Sequence, residues 1–131
     1  MTAGRQTKPH GSFPPQRERG AYILREPKGE PDVLLFSGPE GQKTVYGAAD
    51  LLSVQGYTAR IVEVADAALF LRQDAAYRES VFSPAPSARV GLALTGEEQA
   101  AFSSLPQAEL LCRADRSAVA AGALAAIRRA D

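Results

Sequence analysis

At 131 residues, the chain has room for one ordinary domain, and its 45% hydrophobic content is enough for a single packed core. Fifteen lysines and arginines balance fifteen aspartates and glutamates, so the surface has no net charge that would attract nucleic acid or anionic lipid. We therefore expect neither nucleic acids nor membranes among the partners.

Residues 1–19 are typical of an extended connector rather than of a folded element. They contain Pro9, Pro14 and Pro15, several charges and no apolar periodicity. The apolar pattern begins at Gly20, so we expect a connector over residues 1–19 and a single α/β domain over residues 20–131.

From Gly20 onward, short apolar runs alternate with segments of helical periodicity. The pattern predicts strands at Ala21–Leu24, Asp32–Ser37, Thr58–Val64, Ala88–Leu94 and Ala108–Arg113. It predicts helices at Gln42–Gln55, Ala67–Leu71, Ala75–Val81, Glu97–Ser104 and Ser117–Ala130. The expected caps are Asp66 and Asp74 for the two short central helices, and Asp115 or Ser117 for the last one.

The second strand, Asp32–Ser37, is almost continuously apolar, which indicates burial on both faces of a sheet. A strand, a helix and a further strand follow one another over about thirty residues, the spacing of a right-handed crossover unit. We therefore predict an α/β fold, a three-layer α/β/α sandwich around a mostly parallel sheet of about five strands.

The predicted fifth strand holds Cys112, the only cysteine. A lone cysteine excludes an internal disulfide and favours a reducing compartment, and the apolar neighbours predict a buried structural thiol. No segment approaches the roughly eighteen apolar residues of a membrane span, and the start of the chain lacks the apolar centre of a secretory signal. These features predict a cytoplasmic protein.

Several stretches, in the correct order, resemble the C-terminal domain of transketolases: Arg19–Leu24, Pro31–Gly38, Ala59–Val64 with Ala68–Phe70 and Gln73, and Asp74–Val81 with Ala88–Val90. The first two are similar to the family's R-G-x-Y-x-L and P-D-x-I-L-I-A-T-G-S-E strands, and the last is the most specific. The resemblance covers residues 4–94. Beyond them the family's W-x-K-Y-V-G and F-G-x-S-A-P-A segments have no counterpart, so the domain is shortened.

The resemblance implies a module of an enzyme that uses thiamine diphosphate to transfer ketol units between sugar phosphates. The cofactor and its divalent metal would lie in two domains that this sequence lacks, since no G-D-G with a downstream asparagine occurs. This chain would then bind no cofactor, and its partners would be separately encoded catalytic domains. A split gene product, a fragment and a decayed copy all remain open, as does a homodimer.

A second clue to the family lies near the start of the chain. Gly4-Arg-Gln6 resembles the S-R-Q that closes the preceding, pyrimidine-binding domain in transketolases, where the arginine helps to hold the sugar phosphate. The resemblance implies a phosphate-binding role for Arg5, to which a bidentate guanidinium is suited. A solvated arginine is the alternative, because the neighbouring domain is absent.

A second candidate site is the crevice at the carboxyl ends of the strands, where doubly wound folds bind ligands. A plain helix start is the alternative, since Pro39 has no N–H to donate and Glu40 would repel a phosphate. The residues predicted for the crevice are Ser37, Gly38, Glu40, Gly41 and Asp66.

The remaining polar groups favour structural roles. His10, the only histidine, lies in the connector and suggests neither a metal site nor a Cys/His dyad. The cluster from Asp74 to Glu79 is explained by a cap at Asp74, an ion pair between Asp74 and Arg78, and an inward Tyr77. We predict no metal site and no catalytic residue.

Two functions follow from these features. The first is a transketolase C-terminal module that is not catalytic alone and supports assembly with the catalytic domains. The second is a small-ligand or regulatory binding domain that uses the crevice at the strand ends.

Overall fold

The computed structural model describes residues 18–82, 88–107 and 109–130. The strands are β1 (Ala21–Arg25), β2 (Val33–Ser37), β3 (Ala59–Val64), β4 (Arg89–Ala93) and β5 (Glu109–Cys112). The helices are α1 (Gln42–Val54), α2 (Ala67–Leu71), α3 (Ala75–Phe82), α4 (Gly96–Phe102) and α5 (Arg116–Ala130), and a 3-10 turn at Pro39–Gly41 precedes α1. Each predicted strand and helix is confirmed, with small shifts at the boundaries.

The strands form one sheet in the order β1-β3-β2-β4-β5. β1 pairs antiparallel with β3, whereas the other three pairs are parallel. The register places Leu35 of β2 between Ile61 of β3 and Val90 of β4. β2 is buried at every position, as its apolar run predicts. The predicted sheet of about five mostly parallel strands is therefore confirmed.

Helices cover both faces of the sheet, which gives the predicted three layers. Helices α1 and α5 pack on one face, where the core includes Leu35, Leu52, Ile61, Val90 and Val119. Helices α2, α3 and α4 cover the other face, where the core includes Phe36, Val62, Phe70, Phe82 and Phe102. The side chains of β2 and β3 alternate between these two cores, as the period of a strand requires.

Side-chain caps fix where four of the helices begin. The capping residues are Asp66 for α2, Asp74 for α3, Thr95 for α4 and Asp115 for α5, each accepting a backbone N–H at 2.8 to 3.1 Å. These contacts satisfy amides that have no partner within the first turn of a helix. The structure confirms Asp66 and Asp74 as caps and selects Asp115 over Ser117.

Gly20 controls how the chain enters β1. Its φ of +95° lies in the left-handed region, and an added Cβ would come 2.9 Å from the Cα of Phe70. Its carbonyl oxygen accepts hydrogen bonds from the N–H groups of Ala65 and Asp66, at 2.7 and 2.9 Å. Only glycine fits this backbone conformation and this close approach, which place the start of β1 beside the carboxyl end of β3.

A buried arginine ties the loop after β1 to the sheet. Arg60 of β3 donates from Nε and Nη2 to the two carboxylate oxygens of Glu26, at 2.8 and 2.7 Å, and from Nη1 to the carbonyl oxygen of Val81 at 2.9 Å. Its side chain is only 10% exposed, whereas that of Glu26 is 43% exposed. A bidentate pair of this kind satisfies the guanidinium while it is held away from water.

Two predictions about individual side chains are wrong. Cys112 is exposed rather than buried, because it is the last residue of β5, and β5 lies at the edge of the sheet. Arg78 does not pair with Asp74 but donates from Nε to the carbonyl oxygen of Gln73 at 3.1 Å. Asp74 instead accepts from the N–H of Tyr77, so helix capping takes precedence over the ion pair.

Several other predictions lie outside the described residues. These are Arg5, His10 and nearly all of the expected connector at residues 1–19. Within the part of the chain that the structure describes, no helix is long and apolar enough to cross a membrane.

Candidate functional site

The carboxyl ends of β2, β3 and β4 meet at one edge of the sheet. The chain leaves β2 towards α1 on one face and leaves β4 towards α4 on the other, so this edge contains a topological switch point. A cleft of about 290 Å³ opens there, which we call the strand-end cleft. Its lining residues are Pro39, Val64, Ala65, Asp66, Ala67, Ala68, Glu97, Glu98, Ala101 and Phe102.

The strand-end cleft combines an apolar floor with an acidic rim. Seven of its ten lining residues are apolar, including the buried side chains of Val64 and Phe102. The three others are Asp66, Glu97 and Glu98. Carboxylates grouped in one cleft create a negative potential that repels anions and attracts cations. The cleft is therefore poorly suited to a phosphate and better suited to a basic or neutral group.

Two of these carboxyl groups also stabilise helix starts. Asp66 accepts from the N–H of Leu69 through Oδ1, and Glu98 accepts from the N–H of Leu94 through Oε1 at 2.8 Å. Glu98 in turn donates its own N–H to the hydroxyl oxygen of Thr95, the residue that caps the start of α4. Glu97 is exposed and takes no part in these caps. It is thus the carboxylate that can be changed with least effect on the fold.

Of the residues predicted for the crevice, Asp66 lines the strand-end cleft and the others do not. Glu40 is exposed on the 3-10 turn, and its neighbour Pro39 lines the cleft instead. Gly38 lies against α4, since an added Cβ would overlap the carboxylate of Glu98. The backbone N–H of Gly41 is already bonded to the carbonyl oxygen of Gly38, so it is not available to a ligand.

Ser37 belongs to a buried polar network centred on Gln42, and Gly41 packs against Ser37. The side-chain amide of Gln42 donates from Nε2 to the carbonyl and hydroxyl oxygens of Ser37 and to the carbonyl oxygen of Val62. Ser37 is fully buried and donates its hydroxyl to the carbonyl oxygen of Gly38 at 2.8 Å. An added Cβ at Gly41 would come 2.9 Å from the Cβ of Ser37. This network links the carboxyl end of β2 to β3.

The polar cluster on α3 is also structural. Tyr77 donates its hydroxyl to the carbonyl oxygen of Ala21 at 2.7 Å, and its ring packs edge-on against Phe70. Burial raises the pKa of the Tyr77 phenol, and the guanidinium of Arg19, 4.6 Å above the ring, partly offsets this rise. The inward Tyr77 and the cap at Asp74 confirm the structural interpretation for these two residues.

The sequence-based prediction missed the residues of α4 that line the cleft. Glu97, Glu98 and Phe102 were assigned only to a short helix, although the spacing of Thr95 and Glu98 is that of a capping box. That spacing could have located the start of α4, but not the side of the sheet on which α4 packs. Within the described ranges, no group of three or more His, Cys, Asp or Glu side chains could hold a metal ion.

The family comparison agrees with this architecture. Residues 20–100 match the family described as the transketolase-like TK C-terminal domain. This chain belongs to that family. The match begins at Gly20, which the structure places at the entry to β1, and it extends into α4.

Curated transketolases are similar to the chain over part of its length. It is 35% identical to Transketolase 1 of Escherichia coli (strain K12) over 74 residues, which are 56% of this chain and 11% of that protein. It is 36% identical to Transketolase 1 of Aliivibrio fischeri over 75 residues, with the same coverage. The chain thus aligns with about a tenth of the length of these relatives.

Solved transketolase structures share the fold over a larger part of the chain. A mutant transketolase from Pichia stipitis superimposes with a TM-score of 0.74 at 15% identity, over 88% of this chain and 19% of that one. The transketolase from Leishmania mexicana gives a TM-score of 0.73 at 16% identity, with the same coverage. The shared fold extends beyond residue 100, where sequence similarity to the family is weak.

Proposed function

We propose that this transketolase C-terminal domain is a non-catalytic module, which assembles in the cytoplasm with separately encoded domains that bind thiamine diphosphate. The family match over residues 20–100 carries the proposal. An alignment that spans only 11% of a transketolase supports it, because a module of this size would need further domains for ketol transfer.

The cofactor itself does not fit the strand-end cleft. The diphosphate of thiamine diphosphate would face Asp66, Glu97 and Glu98, and these carboxylates repel an anion unless a divalent metal lies between them. Two of the three already accept backbone N–H groups, which leaves a poor set of metal ligands. We therefore assign the cofactor and its metal to the partner domains, and no catalytic step to this chain.

Exposed apolar surface supports association with another protein. Val54, the last residue of α1, is an apolar side chain that is 85% exposed. Beside it, Leu51 and Leu124 line a groove of about 390 Å³ between α1 and α5. Contiguous exposed apolar surface commonly marks a protein contact. The α1–α5 groove is therefore the surface that the binding experiment should probe.

The experiment is reconstitution with a second chain from the same genome that carries the two thiamine-binding domains. The two chains are mixed and analysed by size-exclusion chromatography with light scattering, and ketol transfer is then assayed with thiamine diphosphate and Mg²⁺. We expect a stable complex whose activity exceeds that of the partner alone. Failure to form any complex, or sugar turnover by this chain alone, would contradict the proposal.

Two matched variants test the docking surface. Val54→Asp introduces a charge at the α1–α5 groove and should weaken the complex. Leu71→Asp introduces the same charge on α2, on the opposite face of the sheet, and should leave it unchanged. A homodimer through the groove is the competing assembly. It would appear as a particle of twice 13.9 kDa in the absence of the partner, and Val54→Asp would dissociate it.

A small-ligand or regulatory site in the strand-end cleft is the second candidate function. Its position at the switch point and its volume of about 290 Å³ favour it. The acidic rim favours basic or neutral compounds over phosphorylated sugars. A ligand at a hundred times its dissociation constant should stabilise the fold by about 2.7 kcal/mol in a thermal-shift screen. An absence of shift with every compound, or a shift that Glu97→Lys leaves unchanged, would argue against this site.

A further inference from the structure

β5 lies at one end of the sheet, where its outer edge can accept another strand. Within residues 18–82, 88–107 and 109–130, β5 pairs with β4 alone. β1, at the opposite end, has an irregular register between Ile23 and Arg25. Such irregularities bend a strand and protect a sheet edge from further pairing. The register of β5 is unbroken from Glu109 to Cys112, so its edge is the better template for a further strand.

The pairing with β4 determines which backbone groups of β5 face outward. The N–H of Arg113 donates to the carbonyl oxygen of Ala93 at 2.8 Å, so position 113 faces β4. Hydrogen-bonding groups point to opposite sides at successive positions of a strand. Leu111 therefore faces β4 as well, whereas Leu110 and Cys112 face away from it. These two residues present two N–H and two C=O groups at the outer edge.

The four outward groups are complementary to the same groups of a second copy. In an antiparallel pair, residues opposite each other exchange both of their hydrogen bonds at every second position. With Leu111 opposite Leu111 of the other copy, Leu110 of each copy faces Cys112 of the other, and all outward groups are paired. A register centred on Leu110 would instead leave Cys112 beyond the end of the other β5, which begins at Glu109.

The same register matches the side chains. Glu109 and Leu111 point towards α5, since an added Cβ at Gly122 would come 3.5 Å from Oε1 of Glu109 and 3.3 Å from Cδ1 of Leu111. Glu109 of each copy then lies opposite Arg113 of the other, which is a favourable cross-strand charge pair. Nε of Arg113 donates to the carbonyl oxygen of Leu94 at 3.4 Å, a long and exposed bond that the guanidinium can exchange for a carboxylate.

We propose that two copies of the chain pair through their β5 strands, antiparallel and with Leu111 at the two-fold axis. The two five-stranded sheets then form one continuous sheet across a self-complementary interface. This proposal goes beyond the proposed function, because it concerns the chain alone. It also differs from a homodimer through the α1–α5 groove, since that groove lies over one face of the sheet and not at its edge.

Sedimentation velocity of the full chain tests the dimer. We expect a particle of twice 13.9 kDa whose fraction rises with concentration. Cys112→Pro removes an outward N–H from each copy and no bond to β4, so it should raise the dissociation constant at least about tenfold. Cys112→Ser keeps that N–H and should leave the constant unchanged. A chain that stays monomeric at about 1 mM would overturn the proposal. So would a dimer that Val54→Asp dissociates and Cys112→Pro does not.

Charge exchange tests the register, and it remains informative if Cys112→Pro fails to fold. Glu109→Arg or Arg113→Glu alone places like charges opposite each other and should raise the dissociation constant about three- to tenfold. The double variant restores opposite charges and should return the constant to within about twofold of the parent. Asp50→Arg, on the exposed side of α1, should have no effect. A double variant that dimerises no better than the single variants would overturn the register.

Oxidative cross-linking locates the two-fold axis directly. Residues opposite each other at a position without hydrogen bonds have Cα atoms about 4.5 Å apart, which is within reach of a disulfide. Leu111→Cys, in a background with Cys112→Ser, should therefore form a cross-linked dimer. The two exposed Cys112 residues of the parent would lie about 8 Å apart in this register, too far for a disulfide. Cross-linking of the parent but not of the Leu111→Cys variant would overturn the proposed pairing.

Discussion

Gly91 offers a sharp test of how the sheet packs, because its lack of a side chain leaves room for the ring of Phe36. It lies in β4, where the register places it beside Phe36 of β2. An added Cβ at Gly91 would overlap the ring of Phe36, with Cε2 at 2.8 Å. The φ of Gly91 is not in the left-handed region, so Gly91→Ala changes packing without imposing backbone strain.

The magnitude depends on whether Phe36 can move. Its ring is fully buried and lies edge-on to Phe82 and Phe102, at centroid distances of 5.5 and 5.7 Å. Overpacking of this kind costs typically 1–3 kcal/mol. Replacing glycine by alanine also lowers the conformational entropy of the unfolded chain, which stabilises the fold by about 0.5 kcal/mol. We therefore expect a net loss of about 0.5–2.5 kcal/mol, or roughly 2–9 °C in melting temperature.

The assay is urea unfolding of the full chain, followed by far-ultraviolet circular dichroism. Gly96→Ala is the matched control, because an added Cβ at this first residue of α4 meets nothing within 4 Å. We expect the control to be neutral or up to about 0.5 kcal/mol more stable than the parent. Equal stability of the parent and Gly91→Ala would refute the packing argument.

A double-mutant cycle identifies the cause. Phe36→Leu alone should destabilise by about 1–2 kcal/mol through lost burial. If the conflict is between the new Cβ and the ring, the double variant should be more stable than the sum of the two single losses predicts, by at least about 0.5 kcal/mol. Strict additivity would mean that Gly91→Ala acts through some other contact.

Three further predictions use the same unfolding assay. Glu26→Gln should cost about 1–2 kcal/mol by weakening the ion pair with buried Arg60. Glu30→Gln in the same exposed loop should be neutral, and equal effects of the two variants would contradict the role of Glu26 as the partner of Arg60. Asp115→Ala should cost about 1 kcal/mol and Ser117→Ala almost nothing, and the reverse order would move the cap to Ser117. Tyr77→Phe should cost about 1 kcal/mol at neutral pH. Because the folded pKa of Tyr77 is raised, the contribution of its phenol to stability is complete below pH 10 and is lost as pH rises above that value. The parent should therefore lose more stability than Tyr77→Phe over this alkaline range.

Local sequence was sufficient for the elements and for most of their boundaries. The apolar run of β2 predicted a strand buried on both faces, and the acidic residues before α2 and α3 predicted their caps. The direction of β1 was harder to predict, although the short connection between β1 and β2 requires these two strands to run in opposite directions. The connection from β1 to β2 covers only residues 26–32, which is too short for the crossover that parallel strands need.

Contacts between distant segments could not be predicted in this way. Arg60 pairs with Glu26, 34 positions away, and nothing in either local sequence indicates the partner. Gln42 was predicted only as the first residue of a helix, yet its side chain links the ends of β2 and β3. The position of Cys112 at a sheet edge depends on strand order, which hydrophobic periodicity does not determine.

The strand-end cleft illustrates why the fold locates a site without determining its ligand. Doubly wound folds open a crevice at the switch point, and the turn after β2 was therefore a candidate ligand site. In this chain the amide of Gly41 is already bonded, and α4 brings Glu97 and Glu98 to the same cleft from a distant part of the sequence. The charge of a crevice depends on every segment that borders it. An acidic rim above an apolar floor requires a basic or neutral occupant, whichever segment or molecule supplies it.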